Sequence, residues 1–440
     1  MGLFFYLSFI MSVQDFYNTI FSNYPFITTD TRAVSENSVF FALKGERFNG
    51  NNFALQAIEH GAAFAVVDDC SLQHPQIICV DDVLSFLQNL SLHHRRQLQI
   101  PIIGITGSNG KTTTKELIAA VLSQKYEVSF TQGNFNNHIG VPLTLLGIKK
   151  STEIAIVEMG ANHPGEIAFL CSIVEPNFGI ITNIGRAHLE GFGSFENIIT
   201  TKVALYDSVR KNSGVVFVDA DNELLCSHIG AMSNVKYSLT KAPHSIVTAL
   251  PDSRNVCAAI TLQTPTSTTK IVSQLFGEYN MKNMLAAATI GYYFDVDIAD
   301  IKNAIEGYIP SNNRSQIIET ETNTIILDAY NANPSSVKSA VEYFLQADNE
   351  RRKVLILGEM YELGTFADEE HLAIQRMVLE STISQFFCVG NWPFIDDSRC
   401  MIFAHTDGLF EYLEKHPLRD SFVLVKGSRA IALEKIVPVL

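Results

Sequence analysis

The chain has 440 residues, 47% of them apolar and 18% charged, with a formal net charge of −14. That length fits about two to four domains, and the apolar share supports large buried cores and excludes long disordered tracts. The acidic balance excludes a protein built to clamp nucleic acid, whose affinity comes from basic residues on phosphates, although a local basic pocket for phosphates is compatible with it.

Seven cysteines (Cys70, Cys79, Cys171, Cys226, Cys257, Cys388, Cys400) are scattered, with no C-x-x-C pair. Several lie in apolar runs such as QIICV and FFCVG. The expectation is free thiols in a reducing compartment, with neither a disulfide nor a zinc site. No stretch approaches the roughly 18 apolar residues of a spanning helix. The opening MGLFFYLSFIM has no basic flank and no small-residue cleavage site, which argues against a signal peptide. Translation is expected to start at Met11, with the residues before it an extension or a misassigned start.

Three blocks follow in chain order. Up to Gln99, SVFFAL and AFAVVD read as short strands with the helical FALQAIEHG between them. Strand QIICV then leads to helix DDVLSFLQNLSLHHRR, whose basic end meets Pro101. The second block opens on strand PIIGITG and helix KTTTKELIAAVLSQ. It continues through strand EIAIVEMG, helix PGEIAFLCSIV, strand FGIITNIG, helix FENIITTKVALYDSVR and strand GVVFVDA. Helical MKNMLAAATIGYYF and IADIKNAIEGY close it near Pro310. The third block alternates strand TIILDAY, helix PSSVKSAVEYFL, strand KVLILGE, helix DEEHLAIQRMVLE, strand FFCVG, helix GLFEYLEKH, strand SFVLVKG and a final helix. Apolar strands alternating with amphipathic helices imply parallel sheets covered on both faces. The expected fold is α/β with three domains: a small αβ domain over 1–99, a central P-loop doubly wound sheet over 100–309, and a C-terminal Rossmann-like αβ domain over 310–440. Functional residues should follow the carboxyl ends of the strands.

The run Gly107, Ser108, Asn109, Gly110, Lys111, Thr112, Thr113 sits between a strand and a helix. Glycines let backbone N–H groups turn toward a phosphate, and the helix N-terminus adds positive charge. Lys111 can neutralise the β and γ phosphates of ATP, and the Thr112 hydroxyl can ligate Mg²⁺. Ile105 occupies the first glycine of the full Walker pattern, so the match is to the shorter G-x-x-G-K-T. Glu158 after the next strand suits a second Mg²⁺ ligand. His188 is evenly balanced between a site residue and a structural one, a helix cap or packed imidazole, and Lys202 alone reads as a solvated helix face.

Together these segments resemble the Mur ligase family. TGSNGKTTTK, EMG and NIGRAHLEGFGS stand in the family's order and spacing. GNFNNHIGVPLTLL, LDAYNANPSS, LGEMYELG and VKGSRA are similar to the branch that joins D-alanyl-D-alanine to a UDP-N-acetylmuramoyl-tripeptide. TDTR and FFALKGERFNGNNF resemble its UDP-binding domain. The resemblance covers nearly the whole chain. It implies that Lys111 and Thr112 hold the γ-phosphate and Mg²⁺, that Glu158 and His188 hold metal, and that Lys202 is the lysine carbamylated by CO₂ to support a second Mg²⁺. It implies nucleotide contacts for Asn283, Arg314 and Asp328. Thr31, Arg32, Lys44 and Gly45 fall on the UDP side. Asn134, Asn136 and Asn137, with Tyr330, Asn331 and Asn333, fall on the substrate side. Asn333-Pro334 is also a good helix start, with Asn as N-cap, and VKGSRA could equally be a plain strand-end turn. The sequence departs from the family at Ala204, where a glutamate usually follows the lysine, at Tyr279 for histidine, and at Asn49 and Glu359 for aspartates.

The resemblance implies an acyl-phosphate mechanism in the bacterial cytoplasm, with a monomer as the default and neither nucleic acid nor membrane as partner. Rotation of the third domain about Ile309–Ser311 is the expected closing motion. The rivals are a ligase adding a single amino acid or glutamate to another acceptor, and an ATP-driven switch that forms no bond.

Overall fold

The computed structural model describes residues 11–252, 256–310, 313–347 and 349–440. The segment preceding Met11 and the Ser311 end of the expected hinge lie outside them. No helix of the described residues is long and apolar enough to cross a membrane. The chain divides into two compact units, one comprising residues 1–104, 127–160 and 168–177, the other residues 105–126, 161–167 and 178–440.

The first unit contains a four-stranded parallel sheet ordered Ile27–Thr28, Val39–Phe41, Phe64–Val67, Ile77–Cys79. Successive side chains of a strand point to opposite faces, and the middle strands obey this. Val39, Phe41 and Val66 pack with Phe16, Phe86 and Leu87 of flanking helices, whereas Phe40, Ala65 and Val67 pack on Ala54 and Ala57 of helix Ala54–Glu59. Helix Val83–Gln97 begins at Asp82, whose carboxylate accepts from Ser85 N–H. Lys44–Gly45 and Phe48–Asn49 form a small antiparallel hairpin.

Cys70 and Cys79 form a disulfide, which corrects the expectation of seven free thiols. The register pairs Val67 with Cys79, so the turn after Val67 brings Cys70 alongside, with the two Cα atoms 5.4 Å apart. Their proximity arises from strand register, to which sequence spacing is blind. The other five cysteines, Cys171, Cys226, Cys257, Cys388 and Cys400, keep their thiols outside this disulfide.

In the second unit the central sheet runs in chain order outward from Ile102–Thr106 through Phe178–Ile181, Val215–Asp219, Asn234–Ser238, Ser245–Pro251, Cys257–Gln263 and Thr268–Phe276. The strands from Phe178 to Pro251 pair in parallel and the last two antiparallel. In the first unit the order from Ile102–Thr106 is Ile154–Glu158 and then Val128–Phe130. Helices Lys111–Leu122, Phe195–Lys211 and Glu278–Tyr293 form in this part of the fold as the sequence periodicity predicts.

The C-terminal sheet is six-stranded, ordered Gln316–Glu319, Asn323–Asp328, Ser421–Lys426, Arg352–Gly358, Gln385–Val389, Cys400–Phe403. Only the first, an edge strand, is antiparallel. The expected final helix is two short 3₁₀ segments, Arg429–Ile431 and Leu433–Val439. Ala432 between them is left-handed at φ 55, and Pro438 has no N–H to donate, so a regular α-helix cannot form there.

Candidate active site

Strand Ile102–Thr106 is buried along its length and delivers the chain into Gly107. Gly107 has φ 149, and a Cβ there would lie 2.0 Å from Thr182 Oγ1. Gly110 has φ 77, and a Cβ there would lie 2.8 Å from Asn283 Oδ1. Only glycine fits either position. Helix Lys111–Leu122 follows with Gly110 as its N-cap, a residue with no side chain of its own to offer the first turn. The N–H donors of that turn and the helix dipole suit an anion.

The loop is pinned to the segment after strand Phe178–Ile181. Asn183 Oδ1 accepts from Asn109 N–H at 3.0 Å, and Asn183 Nδ2 donates to Asn109 O at 2.9 Å. Thr182 Oγ1 donates to the same carbonyl at 2.6 Å. Ser108 Oγ donates to Gly185 O and accepts from Gly185 N–H, each at 2.9 Å. The loop is thereby shaped before any phosphate arrives.

Two ammonium groups converge on one carbonyl. Lys111 Nζ donates to Gly107 O at 2.8 Å, and Lys202 Nζ donates to it at 3.1 Å. Lys202 is 2% exposed on helix Phe195–Lys211, so it is no solvated helix face. Burial, with the neighbouring Lys111 charge, lowers its pKa to about 7.

Asn283 is buried; its Oδ1 accepts from Thr114 Oγ1 at 3.0 Å and its Nδ2 donates to Asn280 Oδ1 at 2.8 Å. His188 is left-handed at φ 54, and its Nδ1 meets the Glu362 carboxylate. Nearby, Arg186 pairs with Glu370 at 3.6 Å.

The third domain contributes Asp328, at the end of strand Asn323–Asp328. Its Oδ2 accepts from Lys426 Nζ at 2.8 Å and from the Tyr279 hydroxyl at 3.3 Å, and its Oδ1 from Ser315 N–H at 3.3 Å. Arg314 stacks on the Tyr330 ring at 3.6 Å, and Arg429 lies 5.4 Å from the same ring. Asn331 Oδ1 accepts from Ala332 N–H at 2.9 Å. Asn333 caps helix Pro334–Gln346 by accepting from Ser336 N–H at 2.9 Å, and its Nδ2 donates to Asn109 Oδ1 at 2.7 Å. The helix-start reading of Asn333 thus holds, and the same amide also reaches the phosphate loop.

The first unit holds the remaining candidates. Glu158, at the end of strand Ile154–Glu158, is 1% exposed, and its Oε1 accepts from Asn136 Nδ2 at 2.8 Å. Asn137 Oδ1 accepts from Gly140 N–H at 2.9 Å, holding the start of helix Gly140–Leu146. Asn134 lies on the turn just before, its carbonyl accepting from Asn136 N–H at 2.7 Å. Thr31 and Arg32 form a 3₁₀ turn capped by Asp30, and Arg32 pairs with Asp30 at 2.7 Å. Lys44 pairs with Asp68 at 2.9 Å beside Gly45.

Among the described residues no three His, Cys, Asp or Glu side chains gather into a metal cluster. Mg²⁺ suits this arrangement nonetheless, because it is held by one or two protein oxygens together with substrate phosphates. The glycine cradle, the helix N-terminus at Lys111 and the two converging lysines fit the phosphate chain that would bring it. Sequence reasoning did not single out Ser335, Glu362 or Lys426 as individual residues. Their signal lay in YNANPSS, LGEMYELG and VKGSRA, motifs quoted whole.

Comparison with known proteins assigns the frame. Residues 23–106 match the Mur ligase family catalytic domain, 105–291 the Mur ligase middle domain and 313–429 the Mur ligase glutamate ligase domain. A Bacillus subtilis UDP-N-acetylmuramoyl-tripeptide–D-alanyl-D-alanine ligase is 34% identical, over 93% of this chain and 92% of its own. The chain belongs to the Mur ligase family. The Escherichia coli relative of the same description is 33% identical over 94% of this chain and 93% of its own. Among solved structures, MurF from Acinetobacter baumannii superposes with a TM-score of 0.83 at 30% identity, covering 94% of this chain and 92% of that one. MurF from Thermotoga maritima in complex with ADP superposes at 0.82 with 24% identity, covering 94% and 96%, a likeness of fold. Within the Mur ligase frame, the phosphate loop, His188 and Lys202 belong to the middle domain, and Asp328, Tyr330 and Glu362 to the glutamate ligase domain.

Proposed function

We propose that this Mur ligase joins D-alanyl-D-alanine to a UDP-N-acetylmuramoyl-tripeptide, with ATP cleaved to ADP and phosphate. The observation that supports this most is the convergence of Lys111 and Lys202 on Gly107 O, beneath a loop contacted by the third domain's YNANPSS motif. An amide does not form usefully from a carboxylate and an amine in water, because the carboxylate oxygen is a poor leaving group. In the first step the tripeptide carboxylate oxygen bonds to the γ-phosphorus and the bond to the β–γ bridging oxygen breaks, releasing ADP. In the second, the dipeptide amine bonds to the acyl carbon, phosphate leaves with its oxygen, and the amine loses a proton.

The first step brings two anions together and needs charge neutralisation and alignment. Lys111 and the N–H groups of the loop bind the phosphates. Arg314, held flat on Tyr330, adds a second cation from the third domain. Thr112, Glu158, His188 and Lys202 are the groups that would hold magnesium, which neutralises phosphate charge when bound. Thr31, Arg32, Lys44 and Gly45 serve the UDP end, and Asn134, Asn136 and Asn137 the muramoyl-peptide.

Lys202 is buried beside a second cation, an arrangement relieved if its amine bonds to the carbon of CO₂ and releases a proton, leaving a carbamate anion. Labelled CO₂ with carbon NMR tests this; no carbamate signal in wild type, or an equal signal in Lys202→Arg, contradicts it. The compartment is the cytoplasm and the enzyme acts as a monomer. Substrate profiling tests the whole reading. A product one dipeptide heavier than the tripeptide precursor supports it, and preference for a single amino acid overturns it.

A further inference from the structure

Glu362, in the LGEMYELG stretch of the third domain, meets Nδ1 of His188 in the loop after strand Phe178–Ile181. Both residues hold left-handed backbones, φ 62 for Glu362 and φ 54 for His188. Left-handed non-glycine residues are uncommon and cluster where geometry serves a site. The backbones touch as well, with Glu190 N–H donating to Glu362 O at 3.4 Å. Here two strained turns meet side chain to side chain and main chain to main chain.

A carboxylate only accepts hydrogen bonds, so the proton between the two groups belongs on Nδ1. That leaves Nε2 as the nitrogen with the lone pair, the form in which a histidine ligates metal. The neighbouring Arg186–Glu370 pair, at 3.6 Å, joins the same loop to helix Ala367–Leu379 of the third domain but involves no candidate ligand. It is the internal control, because it shares the docking role without the tautomer role.

We infer that Glu362 is a positioning residue that fixes the tautomer and orientation of His188, so that the third domain completes the metal site of the middle domain. The inference rests on the reading of His188 as a magnesium-holding residue. It gives LGEMYELG a role, and it makes metal binding depend on the docking of the third domain.

The test is a titration of the full chain with Mn²⁺ in the presence of ADP, followed by electron paramagnetic resonance. Removing a group that orients a metal ligand typically weakens metal binding about 10–100-fold. Glu362→Ala is expected to lose at least about tenfold in Mn²⁺ affinity, at the lower end of that range. Glu362→Gln keeps an acceptor oxygen and is expected to lose less. Glu370→Gln is expected to bind Mn²⁺ as wild type does. Wild-type affinity in Glu362→Ala, alongside loss in His188→Ala, overturns the inference but keeps His188 as a ligand. Wild-type affinity in His188→Ala overturns the underlying reading instead. Equal losses in Glu362→Ala and Glu370→Gln reduce the contact to domain docking and also overturn it. Imidazole nitrogen NMR of the unsubstituted protein reads the tautomer directly: protonation of His188 on Nδ1 is expected, and protonation on Nε2 contradicts the assignment whatever the variants do.

Discussion

Asn333 Nδ2 donates to Asn109 Oδ1 at 2.7 Å, so the residue that caps a third-domain helix also touches the phosphate loop. Asn109 returns a bond to Ser335 Oγ at 3.0 Å. One side chain thus has two separable duties. Serine caps helices about as well as asparagine but is too short to span to Asn109, whereas replacing an Asn cap with alanine costs about 1 kcal/mol. Asn333→Ser should keep near-wild-type stability, and Asn333→Ala should lose about 1 kcal/mol. Both should raise KM for ATP. Denaturant unfolding beside steady-state kinetics separates the two effects.

Lys111 should matter most to the first chemical step. Removing one preorganised charge-stabilising donor typically costs about 10²–10³ in kcat. Lys111→Ala should fall in that range while binding the UDP-precursor as wild type does. A loss confined to KM would show that Lys111 binds substrate and transition state equally.

Gly110→Ala should damage fold and site together. Its φ of 77 is strained for any side chain, and the new Cβ would meet Asn283 Oδ1 at 2.8 Å. The left-handed backbone alone costs about 1–2 kcal/mol for a non-glycine residue. A lower thermal midpoint with weaker ADP binding is expected.

Acid should loosen the third domain through His371. Its Nε2 accepts from Met360 N–H at 3.0 Å, and its Nδ1 lies 2.7 Å from Ala367 O. Burial lowers its pKa, partly opposed by the Ala367 bond and by Glu359, Asp368 and Glu370. Above the unfolded pKa of about 6.5 both states are neutral and the group contributes nothing to the pH dependence. As pH falls below that value the unfolded chain binds a proton that the folded chain resists, so stability drops. Unfolding free energy should therefore decline from pH 7 to pH 5, and His371→Gln should flatten that decline.

Much of this architecture is legible in the sequence because parallel strands buried on both faces read as unbroken apolar runs. IIGIT, IAIVE and FVLVK are of that kind. Strand Thr268–Phe276 escaped the reading because it alternates exposed and buried residues. That pattern belongs to an antiparallel strand with one covered face. The phosphate loop was legible because its glycines, lysine and threonine are adjacent. The partnerships of Glu362 with His188 and of Asn333 with Asn109 were not, since each pair is far apart in sequence and joined only by the fold. The Cys70–Cys79 disulfide was hidden for a related reason, being set by the register of two parallel strands.

The most direct test is phosphate release from Mg-ATP, with UDP-N-acetylmuramoyl-tripeptide and D-alanyl-D-alanine added singly and then together, and the product weighed by mass spectrometry. Release that requires both, with a UDP-muramoyl-pentapeptide formed, is the predicted result. Release without a new amide would contradict the ligase assignment and leave only an ATP-hydrolysing loop.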